Sequence, residues 1–217
     1  MRLPALVLSI SFSGLLFLTA CGSDGGSGGG TAVPSTLQPL TSDEISTMLF
    51  VREEEKLARD VYLSLYERWQ LSVFQTIALQ SEQKHMDKMQ SLLKAANLTD
   101  PVVDNTVGAF TSPEILQLYT DLLARGSSSA DAALQVGAYI EEYDIVDIKA
   151  AIDEATAGSN QLAVLDTYMN LLCGSRNHLR SFVKQIAANG ISYQPQLLSS
   201  TELNAIISTA QEQCGKQ

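Results

Sequence analysis

The chain has only two histidines, and each sits beside carboxylates on a segment with helical periodicity. His85 closes a Glu82-x-x-His85 pair, and that spacing stacks the two side chains one turn apart on one helix face. His178 lies on the face marked by Leu165, Tyr168, Leu172, Ser175, Phe182 and Ile186. Glu55 falls in the middle of a third face, carried by Met48, Ala58, Tyr62, Leu65 and Trp69. Its neighbours Glu53 and Glu54 are expected to point into water. A fourth face, Leu134, Gly137, Ala138, Ile145 and Ile148, carries Glu141 and Asp144 three residues apart, with Glu142 beside it. A lone buried carboxylate is costly unless it is paired or bound to a metal. Four segments that each offer an inward carboxylate or imidazole near mid-length match the donor set of a buried dinuclear metal site. There, two divalent cations offset carboxylates that would otherwise repel one another. The same residues also allow a dry network of Glu, His, Arg59 and Tyr62. The donor types admit iron, manganese or zinc.

These groups need four long helices to position them. Thr41-Ser42-Asp43-Glu44 has capping-box form and predicts a first helix to about Gln70. Ser72-Val73-Phe74-Gln75 reads as a second box, opening a helix to about Asn97, and the very short turn between the two makes them antiparallel neighbours. Residues 101–111 read as a loop. Ser112-Pro113-Glu114 supplies a cap and a proline at the first helical position for a short helix ending at Arg125-Gly126. The serines 127–129 cap a third long helix to about Ala157, and the fourth runs from beyond Gly158-Ser159-Asn160 to Gly190. Ser199-Ser200-Thr201-Glu202 opens a short terminal helix. No strand pattern and no internal repeat is present. The expected fold is all-α: a ferritin-like four-helix bundle with a crossover containing a short extra helix, plus a short C-terminal helix.

The N-terminus reads differently. Arg2 precedes an apolar run, Ala5 to Leu18, without an acid, the form of a secretory signal peptide. It ends Leu18-Thr19-Ala20-Cys21, which resembles the lipobox of bacterial lipoproteins; the resemblance implies cleavage before Cys21 and lipidation of that residue. Residues 21–39 are rich in Gly, Ser and Thr, a composition that tethers without forming a core. The expected organisation is thus signal peptide 1–20, tether 21–39 and helical domain 40–217. The protein would be exported and lipid-anchored to the bacterial cell envelope, with Gly22 favouring an outer membrane where one exists. A net charge of −10 argues against nucleic acid and anionic lipid surfaces as partners. Cys173 and Cys214 remain; outside the cytoplasm they could bond, or Cys173 could be buried packing.

The run Glu55-Lys56-Leu57-Ala58-Arg59-Asp60-Val61-Tyr62 resembles the first-helix motif of rubrerythrins, and Glu82-x-x-His85 resembles their second. With Ser81–Met86, Gly137–Glu142 and Gly174–Arg180, the stretch from Leu49 to Phe182 is similar to the domain of unknown function 2202 family, within the rubrerythrin/ferritin-like superfamily. The resemblance implies metal ligation by Glu55, Glu82, His85, Glu141 and His178, with iron expected and two ions accommodated. One departure stands out: a fourth-helix Glu-x-x-His would need Glu where Ser175 stands. Asp144 is then expected to supply the missing carboxylate, and Glu142 is an alternative to Glu141. The 2202 family itself implies no activity; analogy with rubrerythrins makes the expected chemistry that of an oxidoreductase, of peroxidase or ferroxidase type, on peroxide or dioxygen, with Tyr62 as hydrogen-bond or electron partner. The chain has no Cys-x-x-Cys pairs, so an external electron donor protein would be needed. A homodimer is compatible with the sequence. The alternative is a non-enzymatic surface lipoprotein whose metal or polar core is structural.

Overall fold

The computed structural model describes residues 37, 39–159 and 161–215. The expected signal peptide, Cys21 and nearly all of the tether lie outside the described residues. Among the described residues every regular element is helical, and no helix is long and apolar enough to cross a membrane.

Helix α1, Ser42–Trp69, opens on the capping box. Thr41 Oγ1 accepts the Glu44 N–H at 3.2 Å, and Glu44 Oε2 accepts the Thr41 N–H at 2.8 Å. Glu44 Oε1 also accepts from the N–H and hydroxyl of Ser159, which ties the start of α1 to the turn at Gly158-Ser159. The chain turns back through Gln70, in the left-handed region, and Leu71. Leu71, not Ser72, is the N-cap of α2, Ser72–Ile77, and no side chain caps it. The expected second capping box is therefore absent, because so tight a turn places Ser72 inside the first helical turn. A π-helical turn, Ala78–Glu82, leads into α3, Gln83–Ala95. After the crossover come α4, Pro113–Gly126, capped by Ser112, and α5, Ala130–Ala157, capped by Ser129. Helix α6, Leu162–Ala188, and α7, Ser200–Ile207, follow, the latter with a Ser199–Glu202 capping box.

Helix α1 packs on α2–α3 and on α5; α5 and α6 form the most extensive pair; α3 closes on α6, and α4 lies on α1 and α5. Gly137 permits the α5–α6 approach, since a Cβ there would stand 2.4 Å from the Phe182 ring. Two apolar clusters result. One, around Tyr62, Phe74, Leu134 and Phe182, uses the C-terminal half of α1; the other, around Met48, Met89, Ile148 and Leu171, uses its N-terminal part. Glu55, Glu82, His85 and His178 lie between these clusters along their helices, and Glu141 is flanked by Ile140 and Ile145 of the first. Cys173 and Cys214 are bonded, which fastens the segment after α7 to α6.

The crossover overturns one expectation. Glu53 and Glu54 are both buried. Glu53 accepts the N–H groups of Thr111 and Ser112 at 2.5 and 2.9 Å, because the crossover folds down onto that side of α1. Beside it, Lys56 Nζ bonds Asp60 and the Thr106 carbonyl, Arg59 bonds Asp60, Gln83 and the Asn105 carbonyl, and Arg52 pairs with Asp100. A face that looks solvated in the sequence is a buried ionic seam.

Candidate metal centre

Four helices aim their polar groups at one buried volume. α1 contributes Glu55, the π turn Glu82, α3 His85, α5 Glu141 and α6 His178. His85 Nδ1 stands 3.0 Å from both Glu55 Oε2 and Glu82 Oε2. His178 Nδ1 stands 2.8 Å from Glu82 Oε1 and 3.3 Å from Glu141 Oε2. Glu82 thus offers one oxygen to each histidine. The five residues form two three-donor groups, Glu55–Glu82–His85 and Glu82–Glu141–His178, with candidate ligand atoms within 4.8 Å of one another in each. The imidazole centroids are 5.6 Å apart.

Several of these atoms converge without hydrogen bonds. Both Glu82 oxygens, Glu141 Oε2 and His178 Nδ1 are buried and lack a partner of hydrogen-bonding geometry. Buried polar atoms normally have partners, and atoms that point at a common volume instead suit a cation placed there. The charge balance agrees. Among the described residues, the ion pairs of these acids are to the two histidines alone. Arg59, expected as a partner in a dry network, is committed to Asp60 on the seam.

Protons carry the compensation while no cation is bound. Burial raises the Glu55 carboxyl to about 7, against the pull of His85. Burial also raises Glu141. At Glu82 burial pushes the same way, but the charges of His178 and His85 together outweigh it and hold that carboxyl below the usual range. Burial opposes charging of His85, yet Glu55 and Glu82 lift it to about 9; Glu82 and Glu141 lift His178 well above the imidazole range. A dication could replace these protons.

Three surrounding residues shape the donors. Tyr62 Oη donates to Glu141 Oε1 at 2.5 Å, and burial followed by the Glu141 charge holds its phenol well above its ordinary value, so it remains a donor. Ser81 Oγ lies 2.7 Å from His178 Nε2. Once a cation displaced the Nδ1 proton, a proton on Nε2 donated to Ser81 would keep the Nδ1 lone pair toward Glu82, the arrangement expected of a metal-ligating imidazole. Gly174 sits against His85, where a Cβ would stand 2.4 Å from Cε1 and Nε2. Ser81 and Gly174 carry no ligand chemistry of their own, and Gly174 is visible in the sequence only as a small residue one turn before His178.

The remaining expected donors are outside the two three-donor groups. Asp144 is buried but belongs to neither three-donor group. It lies against Glu54, and burial, then the charge of that neighbour, raises the Asp144 carboxyl well above its ordinary value. Asp144 Oδ1 and both Glu54 oxygens are buried without a hydrogen-bond partner, as the Glu82 oxygens are, so these two acids add unpaired carboxylates beside the centre. Ser175 Oγ donates to the Leu171 carbonyl and leaves the fourth-helix carboxylate position empty of a donor. Glu142 accepts from the Tyr193 hydroxyl and from the N–H groups of Gln196, Leu197 and Leu198. It anchors the segment before α7, and Glu141 is the residue facing the centre.

Residues 44–210 match a family model described as "Uncharacterized protein domain (DUF2202)". The uncharacterized protein MJ0754 of Methanocaldococcus jannaschii is 42% identical over 175 residues, spanning 81% of this chain and 92% of the relative. The crystal structure of that hypothetical protein superimposes with a TM-score of 0.77 at 41% identity, covering 84% of this chain and 100% of the other.

Proposed function

We propose that this chain, which belongs to the DUF2202 family of uncharacterized domains, is a ferritin-like metal protein tethered to the cell envelope. Its centre would hold two divalent cations, iron first among the candidates, for oxidoreductase-type chemistry on peroxide or dioxygen. The observation that carries the reading is the sharing of Glu82 between two three-donor groups that, among the described residues, no Lys or Arg neutralises. Glu55, Glu82 and His85 would hold one cation and Glu82, Glu141 and His178 the other, with Glu82 common to both. With three protein residues in each group, cations held there would act as Lewis acids or redox centres toward a small bound molecule.

Bound iron would supply the redox equivalents. The chain's own part is to orient and to exclude water. Tyr62 fixes Glu141 through its hydroxyl proton, Ser81 fixes the His178 ring, and Gly174 gives the His85 ring its room. The lipobox-like Cys21 and the Cys173–Cys214 bond support export, since disulfides persist in oxidising compartments.

Protein purified without chelator tests the reading through metal content and visible spectra under air, reductant and peroxide. About two ions per chain, with a spectrum that changes on adding peroxide or oxygen, are expected. Bound metal that stays spectrally inert would leave a structural centre. No metal from any source would remove the reading altogether.

A further inference from the structure

The buried centre has one wet side. Glu82 and Glu141 are 0% exposed, whereas His85 and His178 retain 6% and 7%. That exposure opens into a recess of about 360 Å³ whose floor includes both imidazoles, Ser81 and Gly174. Its rim carries Lys84 and Lys88, and polar amides complete most of the lining. On a chain of net charge −10, two exposed lysines at this mouth make it welcoming to neutral and anionic solutes and less so to cations.

The far wall of the recess belongs to the C-terminal strap, residues 208–215, which contributes Gln211, Glu212 and Cys214. Nothing apolar holds that strap. Its fastenings run to α6; two are the strongest, and exposed hydrogen bonds from Arg180 to Thr209 and from Gln211 to Ser181 and the Asn177 carbonyl add to them. Cys214 is bonded to Cys173, the residue before Gly174. Glu212 is gripped by the guanidinium groups of Arg176 and Arg180, and its backbone N–H and carbonyl pair with the Asn177 amide. A segment with no buried apolar side chain is cheap to open, so its position over the histidines depends on these fastenings.

We propose that this recess is the port by which small neutral or anionic solutes of a few heavy atoms reach the two imidazoles. The strap fastened through Cys214 and Glu212 is its outer wall and sets the size of what enters. The inference concerns access and not metal binding, so it is tested on the metal-free full chain and its failure leaves the metal reading untouched. The chain's two histidines make acylated imidazole, followed by its ultraviolet absorbance and by peptide mass, a direct report. Diethyl pyrocarbonate is compared with the bulkier di-tert-butyl dicarbonate; taking their rate ratio cancels differences in imidazole protonation. With the strap fastened, the ratio of small to bulky reagent should exceed that of free imidazole at least tenfold. In the Cys214→Ser/Glu212→Gln variant it should fall to the free-imidazole value while helical circular dichroism is kept. Wild-type protein reduced and alkylated should fall between them, which guards against misfolding of the double variant. Equal ratios in fastened and released forms, or imidazoles that stay unreactive after release, would overturn the proposal.

Discussion

Helix α1 carries two buried ionic regions on opposite sides, and they are built on opposite rules. On the crossover side, Arg52, Lys56 and Arg59 meet Asp60 and Asp100, while Glu53 meets backbone N–H groups. Every charge there has a fixed partner. On the bundle side, Glu55, Glu82 and Glu141 face two imidazoles and, among the described residues, pair with no other cation; Glu54 and Asp144 crowd beside them, and several of these oxygens have no hydrogen bond. The first region is complete as protein. The second is complete only with protons or with metal. Burial is shared by the two regions, so it does not mark function; unbalanced charge does.

The comparison breaks most sharply at Glu82. Glu82→Ala removes the residue common to both groups, and metal content should fall from about two ions per chain to below a tenth of that, with helicity kept. Elemental analysis reads this directly. If one ion remained at full occupancy, Glu82 would not be shared.

The seam should respond in the opposite way. Asp60→Asn strips Lys56 and Arg59 of their common counter-charge, and breaking a buried pair costs about 3–5 kcal/mol. Denaturant unfolding should show that loss while metal stoichiometry is unchanged. Loss of metal without loss of stability would merge the two regions into one.

The third expectation is pH dependence confined to the bundle side. In metal-free protein His85 titrates at about 9 instead of 6.5. Its contribution to stability is therefore full below pH 6.5 and is lost as pH rises through 9. Glu55, raised from 4.5 to about 7, works in the same sense: its protonated form favours the fold, and stability falls as pH climbs between those values. The metal-free melting temperature should decline from pH 5 toward 9. Metal needs the unprotonated imidazoles, so its affinity should rise over that range, with proton release on binding. Calorimetry in buffers of different ionisation enthalpy counts the protons. A flat metal-free profile would mean the donors are not balanced by protons.

The smallest effect belongs to Asp144. Asp144→Asn gives Glu54 an amide donor in place of a second acid, so metal-free stability should hold or rise by about 1 kcal/mol, with metal content unchanged. Loss of one ion would return Asp144 to the donor set.

The sequence shows the polar groups better than their surroundings. Caps at Thr41, Ser112, Ser129 and Ser199 are legible because a side-chain oxygen followed by an apolar periodic run has a local cause. The inward placement of Glu55, Glu82, His85, Glu141 and His178 follows from helical period alone. The fates of Glu53, Glu54 and Asp144 do not, since they depend on where a crossover of irregular backbone comes to rest. Ser72 misleads because a box of the right letters does not fix which residue the turn leaves outside the helix. The Cys173–Cys214 bond needs the approach of the C-terminal strap to α6, and no spacing rule encodes that.

The π turn at Ala78–Glu82 has a consequence for how this fold tolerates changes of length. It holds one residue more than the α-helix around it would need, and each helical residue turns the chain by about 100°. Upstream of it Phe74 stacks with Tyr62 and Phe182; downstream His85 meets Glu55. Deleting one residue from 78–81 would therefore turn the bulge into plain α-helix and leave the two flanks nearly in register, whereas deleting one from the α-helical turns on either side would rotate one half by about 100° and part the aromatic stack from the Glu55–His85 contact. A helix interior usually tolerates point substitutions better than gaps; this turn is the place where loss of a single residue can be absorbed.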